Sequence, residues 1–190
     1  MKKHEEMPVV EGYEPYKKTI SMLVANLLAI ALFVVVGALL GIAYFYLYGD
    51  KQLGSWNTIF PWFLLLLVIG IVVHELVHGI TWLLLTHKGF SHLSFGFLPG
   101  GVYCHIDVPM LKRQYVIGAL MPLLLLGIVP TIVAFCVGSL LWLLLGIVFI
   151  VSAAGDMMIV WAIRKEPADV LVYDHPSEAG CYVYHKTVQS

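Results

Sequence analysis

His74-Glu75-Leu76-Val77-His78 puts two imidazoles and a carboxylate within five positions. Residues four apart on a helix lie on one face, one turn from each other. Such a pair can reach a single zinc ion, with Zn–N distances of about 2.0–2.1 Å. Glu75 then falls roughly 100° round the helix axis. There it stands beside the metal and can take a proton from a water that the metal activates. A catalytic zinc site takes a third protein ligand and keeps a fourth position open. Asp156 is the leading candidate for that ligand, and His105 or Asp107 could supply a ligand or a substrate contact.

The elements that must position these groups follow from composition. The chain has 190 residues, of which 60% are hydrophobic and 12% charged. Soluble domains carry about 25% charged residues, and disordered chains more still. The net charge of −1 provides no basic field, so nucleic acid is not expected as a partner. Cys104, Cys136 and Cys181 are too few and too scattered for a disulfide framework. An integral membrane protein remains, with the lipid bilayer as its first partner.

A helix needs about 20 mostly apolar residues to cross the hydrocarbon. Residues 20–48 and 61–86 meet that need. Pro61 suits a first helical turn, and Tyr44, Phe45, Tyr46 and Tyr48 read as an aromatic belt. The first run is too long for a signal-peptide core and no small-residue cleavage site follows it, so it is expected to be retained. From Gln114 to Met158 the only acid or base, cysteine and tyrosine aside, is Asp156. Gly138 and Ser139 divide that stretch into helices over 115–137 and 140–163. Pro122 and Pro130 predict a kink in the first of these. Asn26 is expected to bond to a neighbouring helix.

Lys2, Lys3, Lys17 and Lys18 precede the first helix. Lys88, Lys112 and Arg113 lie between the second and third, and Arg164, Lys165 and Lys186 follow the fourth. Only Lys51 falls on the other side, so the excess of cations puts both termini and the middle loop in the cytoplasm. The expected fold is therefore an all-α membrane protein of four transmembrane helices. A cytoplasmic segment (1–19) precedes a membrane domain (20–163), and a cytoplasmic tail (164–190) follows it. Within the loop 88–113, Phe95-Gly96-Phe97 and Val102–Ile106 flank Leu98-Pro99-Gly100-Gly101, which predicts a β-hairpin between helices two and three. Residues 170–173 and 181–184 repeat the pattern in the tail across a His175–Gly180 turn. Isolated hairpins are marginal in water, so the two are expected to pair or to dock on the bundle.

Asp156 lies about eight residues, or about 12 Å, from the cytoplasmic end of its helix. The midpoint of His74 and His78 lies about 16 Å from the same side. The two sites are thus compatible in depth. Zinc with two neutral imidazoles, Asp156 and Glu75 sums to zero charge. That offsets carboxylates which would each cost about 2.5–3.5 kcal/mol near the bilayer centre. A buried His–Glu hydrogen-bond network joining helices is the alternative account. His87 and His92 read as interfacial or loop residues, and His4, His175 and His185 as surface residues of the termini.

His74-Glu75-Leu76-Val77-His78-Gly79 resembles the helix of intramembrane zincins of the site-2 protease class. The wider pattern is similar to the zincin peptidase family of small bacterial membrane proteins. It comprises Phe95-Gly96-Phe97, Tyr103-Cys104-His105, Leu120-Met121-Pro122 to Pro130, Ala154-Gly155-Asp156 and Asp174-His175-Pro176. The resemblance covers most of the chain from about Thr58 onward. It implies a zinc cofactor and a multi-pass location in the bacterial inner membrane. Site-2 proteases carry their third ligand in an Asp-Gly context; here Gly155 precedes Asp156 and Met157 follows it.

The expected activity is zinc-assisted hydrolysis of peptide bonds in membrane-associated substrates, with Glu75 as general base and His74, His78 and Asp156 on the metal. The substrate is a protein or peptide, expected to be a transmembrane segment that unwinds locally. The hairpin edge would hold it by strand addition, with Phe95, Phe97, Tyr103 and His105 as contacts. The kinked third helix would gate the path of water. Two other classes share these residues: a scaffold or chaperone that keeps a metal site, and a metal or proton transporter. Against the transporter, no relay of acids crosses the other half of the membrane.

Overall fold

The computed structural model describes residues 7–49, 55–98, 101–175 and 178–187. The protein is mostly helical, with four long apolar helices and two small antiparallel sheets. The helices are α1 (Met22–Tyr48), α2 (Trp56–Thr86), α3 (Lys112–Val137) and α4 (Leu140–Ala162), each long and apolar enough to cross a bilayer. The strands are β1 (Tyr13–Thr19), β2 (Leu93–Leu98), β3 (Gly101–Ile106), β4 (Met110–Leu111), β5 (Leu171–Asp174) and β6 (Gly180–Lys186).

The break between α3 and α4 falls where the glycine requires it. Gly138 takes φ 65°, a left-handed conformation that ends a helix without steric cost, and Ser139 precedes the next one. Tyr44 donates its hydroxyl to the Gly138 carbonyl at 2.6 Å, and Tyr48 donates to the Phe135 carbonyl. These two tyrosines therefore do not form the expected interfacial belt. They point inward to pin the α3–α4 turn, and Tyr44 is 2% exposed. Phe45 and Tyr46 keep an outward position.

α2 begins five residues before Pro61, so that proline lies inside the helix and not in its first turn. In α3, a π-helical stretch, Leu123–Ile128, occupies the interval between Pro122 and Pro130. Pro130 has no N–H to give its ladder, and the wider turn absorbs the mismatch. The Thr131 hydroxyl also donates to the Gly127 carbonyl at 2.8 Å. α4 is interrupted at Ala153, whose ψ is 6°, and resumes at Ala154. α1 rests mainly on α4, and nearly all of its remaining surface is exposed, as a lipid-facing helix requires.

β2 and β3 form the expected hairpin, with Phe95 opposite Cys104 and Phe97 opposite Val102. The Pro99-Gly100 centre of its turn lies outside the described residues. The tail strands β5 and β6 also pair as expected, with Val172 opposite Val183. The two hairpins share no sheet. β6 pairs instead with β1, and β5 with β4, giving the order β1-β6-β5-β4. The N-terminal segment read as solvated thus contains a strand. Its charged Tyr13–Thr19 run hides this, because the strand is an edge exposed along most of its length. The sheet packs on the helix ends through Ile106, Met110, Tyr115, Ile163, Val172 and Val183.

Candidate metal centre

α2 buries Gly70, His74, His78, Gly79, Trp82 and Leu83. The glycines are small because neighbours come close. A Cβ on Gly70 would overlap the ring of Phe149. That ring stacks near-parallel on His74, with centroids 6.3 Å apart. A Cβ on Gly79 would lie 2.7 Å from Cys104 Sγ and 2.9 Å from Leu93 Cδ1, so the β2–β3 hairpin rests directly on the helix. A Cβ on Gly118 would run into the Trp82 indole, and this lets α3 press against α2.

Asp156 arrives from α4, in the first turn after the interruption at Ala153. Its Oδ2 lies 3.4 Å from His74 Nε2 and its Oδ1 lies 3.5 Å from His78 Nε2. Among the described residues, these three form the group whose ligand atoms all fall within 4.8 Å of one another. The separations exceed the roughly 2.7–2.9 Å of a charge-assisted hydrogen bond. They match the edge of about 3.3 Å of a tetrahedron with zinc–ligand bonds of about 2.0–2.1 Å.

The surroundings orient the rings. His78 Nδ1 lies 2.9 Å from the Gly118 carbonyl. A neutral imidazole donating there leaves a lone pair on Nε2, facing Asp156, which is the tautomer a metal ligand needs. His78 stacks on Trp82 and Trp82 on Tyr115, each pair 5.4 Å between centroids. Trp82 Nε1 donates to the Tyr115 carbonyl at 3.1 Å. His74 Nδ1 is buried without a hydrogen-bond partner among the described residues. Two imidazoles and a carboxylate, converging from two helices at this spacing, fit a zinc ion.

Glu75 leaves the helix beside this group, and its Oε2 accepts the Cys104 N–H of β3 at 2.8 Å. A cavity of about 840 Å³ opens here. It is bounded by Glu75 and His78 of α2, Asp156 and Ser152 of α4, Tyr103 and Cys104 of β3, Ala25 and Asn26 of α1, and Asp174 and His175 of the tail. Burial raises the Cys104 thiol to about 12, so it stays protonated next to the site.

The candidate substrate residues fare differently. Tyr103 lines the cavity. Phe95 is half exposed on the hairpin and does not line the cavity, although its strand partner Cys104 does. Phe97 pairs with Val102, and its side chain lies outside the described residues. His105 is 2% exposed and bonds Asp174 at 3.1 Å, outside the cavity lining and the metal group. Asp107 pairs with His92 at 2.7 Å, and it too lies outside the metal group. His175 is buried and lines the cavity, where a surface position was expected. It lies inside because β5 and β6, which it connects to, pack over the helix ends. Asn26, expected to bond a neighbouring helix, faces the cavity instead.

Sequence reasoning missed the Cys104 N–H and the Gly118 carbonyl, which are backbone groups with no side-chain signature. The Trp82 stack had a signal: His74, His78 and Trp82 are spaced four apart and so share one helix face.

A family model with the description "putative zincin peptidase" matches residues 67–171, more than half of the chain, and the chain belongs to that family. No curated protein and no solved structure matches it.

Proposed function

We propose that this zincin peptidase family member is a membrane-embedded zinc metalloprotease that hydrolyses peptide bonds of membrane-associated proteins. The observation that carries the reading is the convergence of His74, His78 and Asp156 within 4.8 Å, with Glu75 beside them on a shared cavity. His74, His78 and Asp156 would hold the ion. Zinc bound there supplies Lewis acidity, which makes water reactive near neutral pH and draws electron density from a scissile carbonyl.

The side chains do the rest. Glu75 accepts the proton of the attacking water and returns it to the leaving amine. The Cys104 N–H bond holds its carboxylate toward the cavity, so little reorganisation is needed when the proton moves. The same bond means that β3 turns an edge toward the site at Cys104. An unwound substrate segment laid along Val102 and Tyr103, beside the Cys104 N–H that Glu75 already takes, would add as a strand with its scissile bond close to Glu75 and Tyr103 against its side chains. The π-helical stretch of α3 marks a part of the bundle that can adjust to admit water. The excess of Lys and Arg supports a cytoplasmic position for the sheet side of the protein, at a bacterial inner membrane.

The test is zinc analysis of the purified wild type, His78→Ala and Asp156→Ala, joined to cleavage of quenched-fluorescence peptides with apolar stretches in detergent micelles. Wild type should carry one zinc and cleave; both ligand variants should lose metal; Glu75→Gln should keep metal and lose cleavage. Metal-loaded Glu75→Gln at wild-type rates would remove the protease reading.

A further inference from the structure

Asp174 ends β5 with its side chain 14% exposed, and two groups from outside the tail converge on it. Its Oδ2 lies 3.1 Å from His105 Nδ1, and its Oδ1 accepts the Tyr115 hydroxyl at 3.1 Å. The Tyr173 hydroxyl lies 3.4 Å from His105 Nε2 on the far side of the ring. Asp174 also borders the cavity, but its side chain is mostly withdrawn from water, which costs stability unless its partners compensate, and a packing role alone would be met by an apolar side chain.

Each partner of Asp174 leads to the metal centre by a short path. His105 adjoins Cys104, whose N–H holds Glu75 Oε2. The Tyr115 ring stacks on Trp82, and Trp82 stacks on His78. One carboxylate therefore braces the strand that holds the base and the aromatic column behind a ligand. Asp174 lies beyond the 67–171 segment of the family match.

We infer that Asp174 is a positioning residue that aligns Glu75 and His78, so that the tail sheet forms part of the machinery of the metal centre. The inference rests on the protease reading above. Asn at this position keeps the size but puts an NH2 donor where one acceptor oxygen stood, so both contacts survive only if the Tyr115 hydroxyl turns to accept or His105 changes tautomer.

The test uses the full chain in detergent, with zinc content measured on every variant. Asp174→Asn and Asp174→Ala should load zinc like wild type. Their kcat should fall about tenfold to a hundredfold, the range for groups that support metal ligands. KM should stay within about twofold, because an interaction felt only in the reacting state is lost. Tyr115→Phe, which keeps the ring stack, should show a smaller fall, and adding it to Asp174→Ala should cost nothing more. Cobalt in place of zinc gives a readout without turnover: the visible bands of Asp174→Asn should differ from those of wild type. Unchanged kcat in zinc-loaded Asp174→Asn, unchanged turnover per bound zinc in a metal-poor variant, or superimposable cobalt bands would each overturn the inference. A wild type that binds neither metal overturns the protease reading first, and the inference falls with it.

Discussion

The backbone N–H of Cys104 and the carboxylate of Glu75 meet at 2.8 Å, joining a strand of the β2–β3 hairpin to the helix that carries both histidines. The hairpin is therefore more than a surface ornament of the loop. It fixes the group proposed to move the proton, and it does so with a main-chain atom that no substitution at residue 104 removes except proline.

Gly79 sets how closely that strand approaches. A side chain there must displace Cys104 Sγ at 2.7 Å and Leu93 at 2.9 Å. Gly79→Leu should push the hairpin off α2 and cost about 1–3 kcal/mol by overpacking. The loss should read as a lower thermal midpoint in detergent, together with reduced cleavage at unchanged zinc content.

Gly118 plays the matching part on the other side of His78. Its missing Cβ is the space that the Trp82 indole fills. Gly118→Ala should displace Trp82, disturb the stack behind His78, and weaken zinc retention against a chelator by about tenfold or more. A competition titration with a coloured chelator measures this directly.

Thr131 follows Pro130 in α3 and bonds back across it to Gly127. Thr131→Val removes the hydroxyl that the Gly127 carbonyl receives at 2.8 Å. The cost should be no more than about 0.6 kcal/mol, the average for side-chain hydrogen bonds between membrane helices, because a bond back to the carbonyl four residues earlier adds little to its own helix. Unfolding in mixed micelles gives the value, and the zinc content should not change.

The four-stranded sheet should loosen in alkali. Burial pushes the ionisation of Cys181, Tyr173 and Tyr184 up to about 12. In the unfolded chain the same groups ionise near 8.5 for cysteine and 10 for tyrosine. The sheet's stability is then fully present below about pH 8.5 and declines as pH rises toward 12, because only the unfolded state releases protons in that window. Hydrogen exchange of β5 and β6 between pH 8 and 11, corrected for intrinsic rates, should show protection falling with pH.

Much of this site can be read from residues alone. The spacing of His74, Glu75 and His78 reveals itself because a helix turns every 3.6 residues. Asp156 reveals itself because a lone carboxylate in an apolar run needs a partner. The Gly138 break is legible because glycine tolerates a positive φ. The pairing of β1 with β6 is not legible in the same way: Tyr13–Thr19 carries no alternation of apolar and polar residues, and its partner lies more than 160 residues away. Tyr44 and Tyr48 mislead because an aromatic near a span end serves equally well outside in the headgroups or inside on a carbonyl. The Cys104 N–H is invisible to composition, since every residue but proline has one.

The sheet order β1-β6-β5-β4 draws its strands from three regions of the chain: ahead of α1, between β3 and α3, and beyond α4. If the four helices cross the membrane as proposed, such a sheet closes only when an even number of crossings separates each region from the next. A copy inserted with one helix inverted would strand its β-segments on opposite sides of the lipid. The sheet would then act as a parity check on biogenesis that only a correctly threaded chain passes.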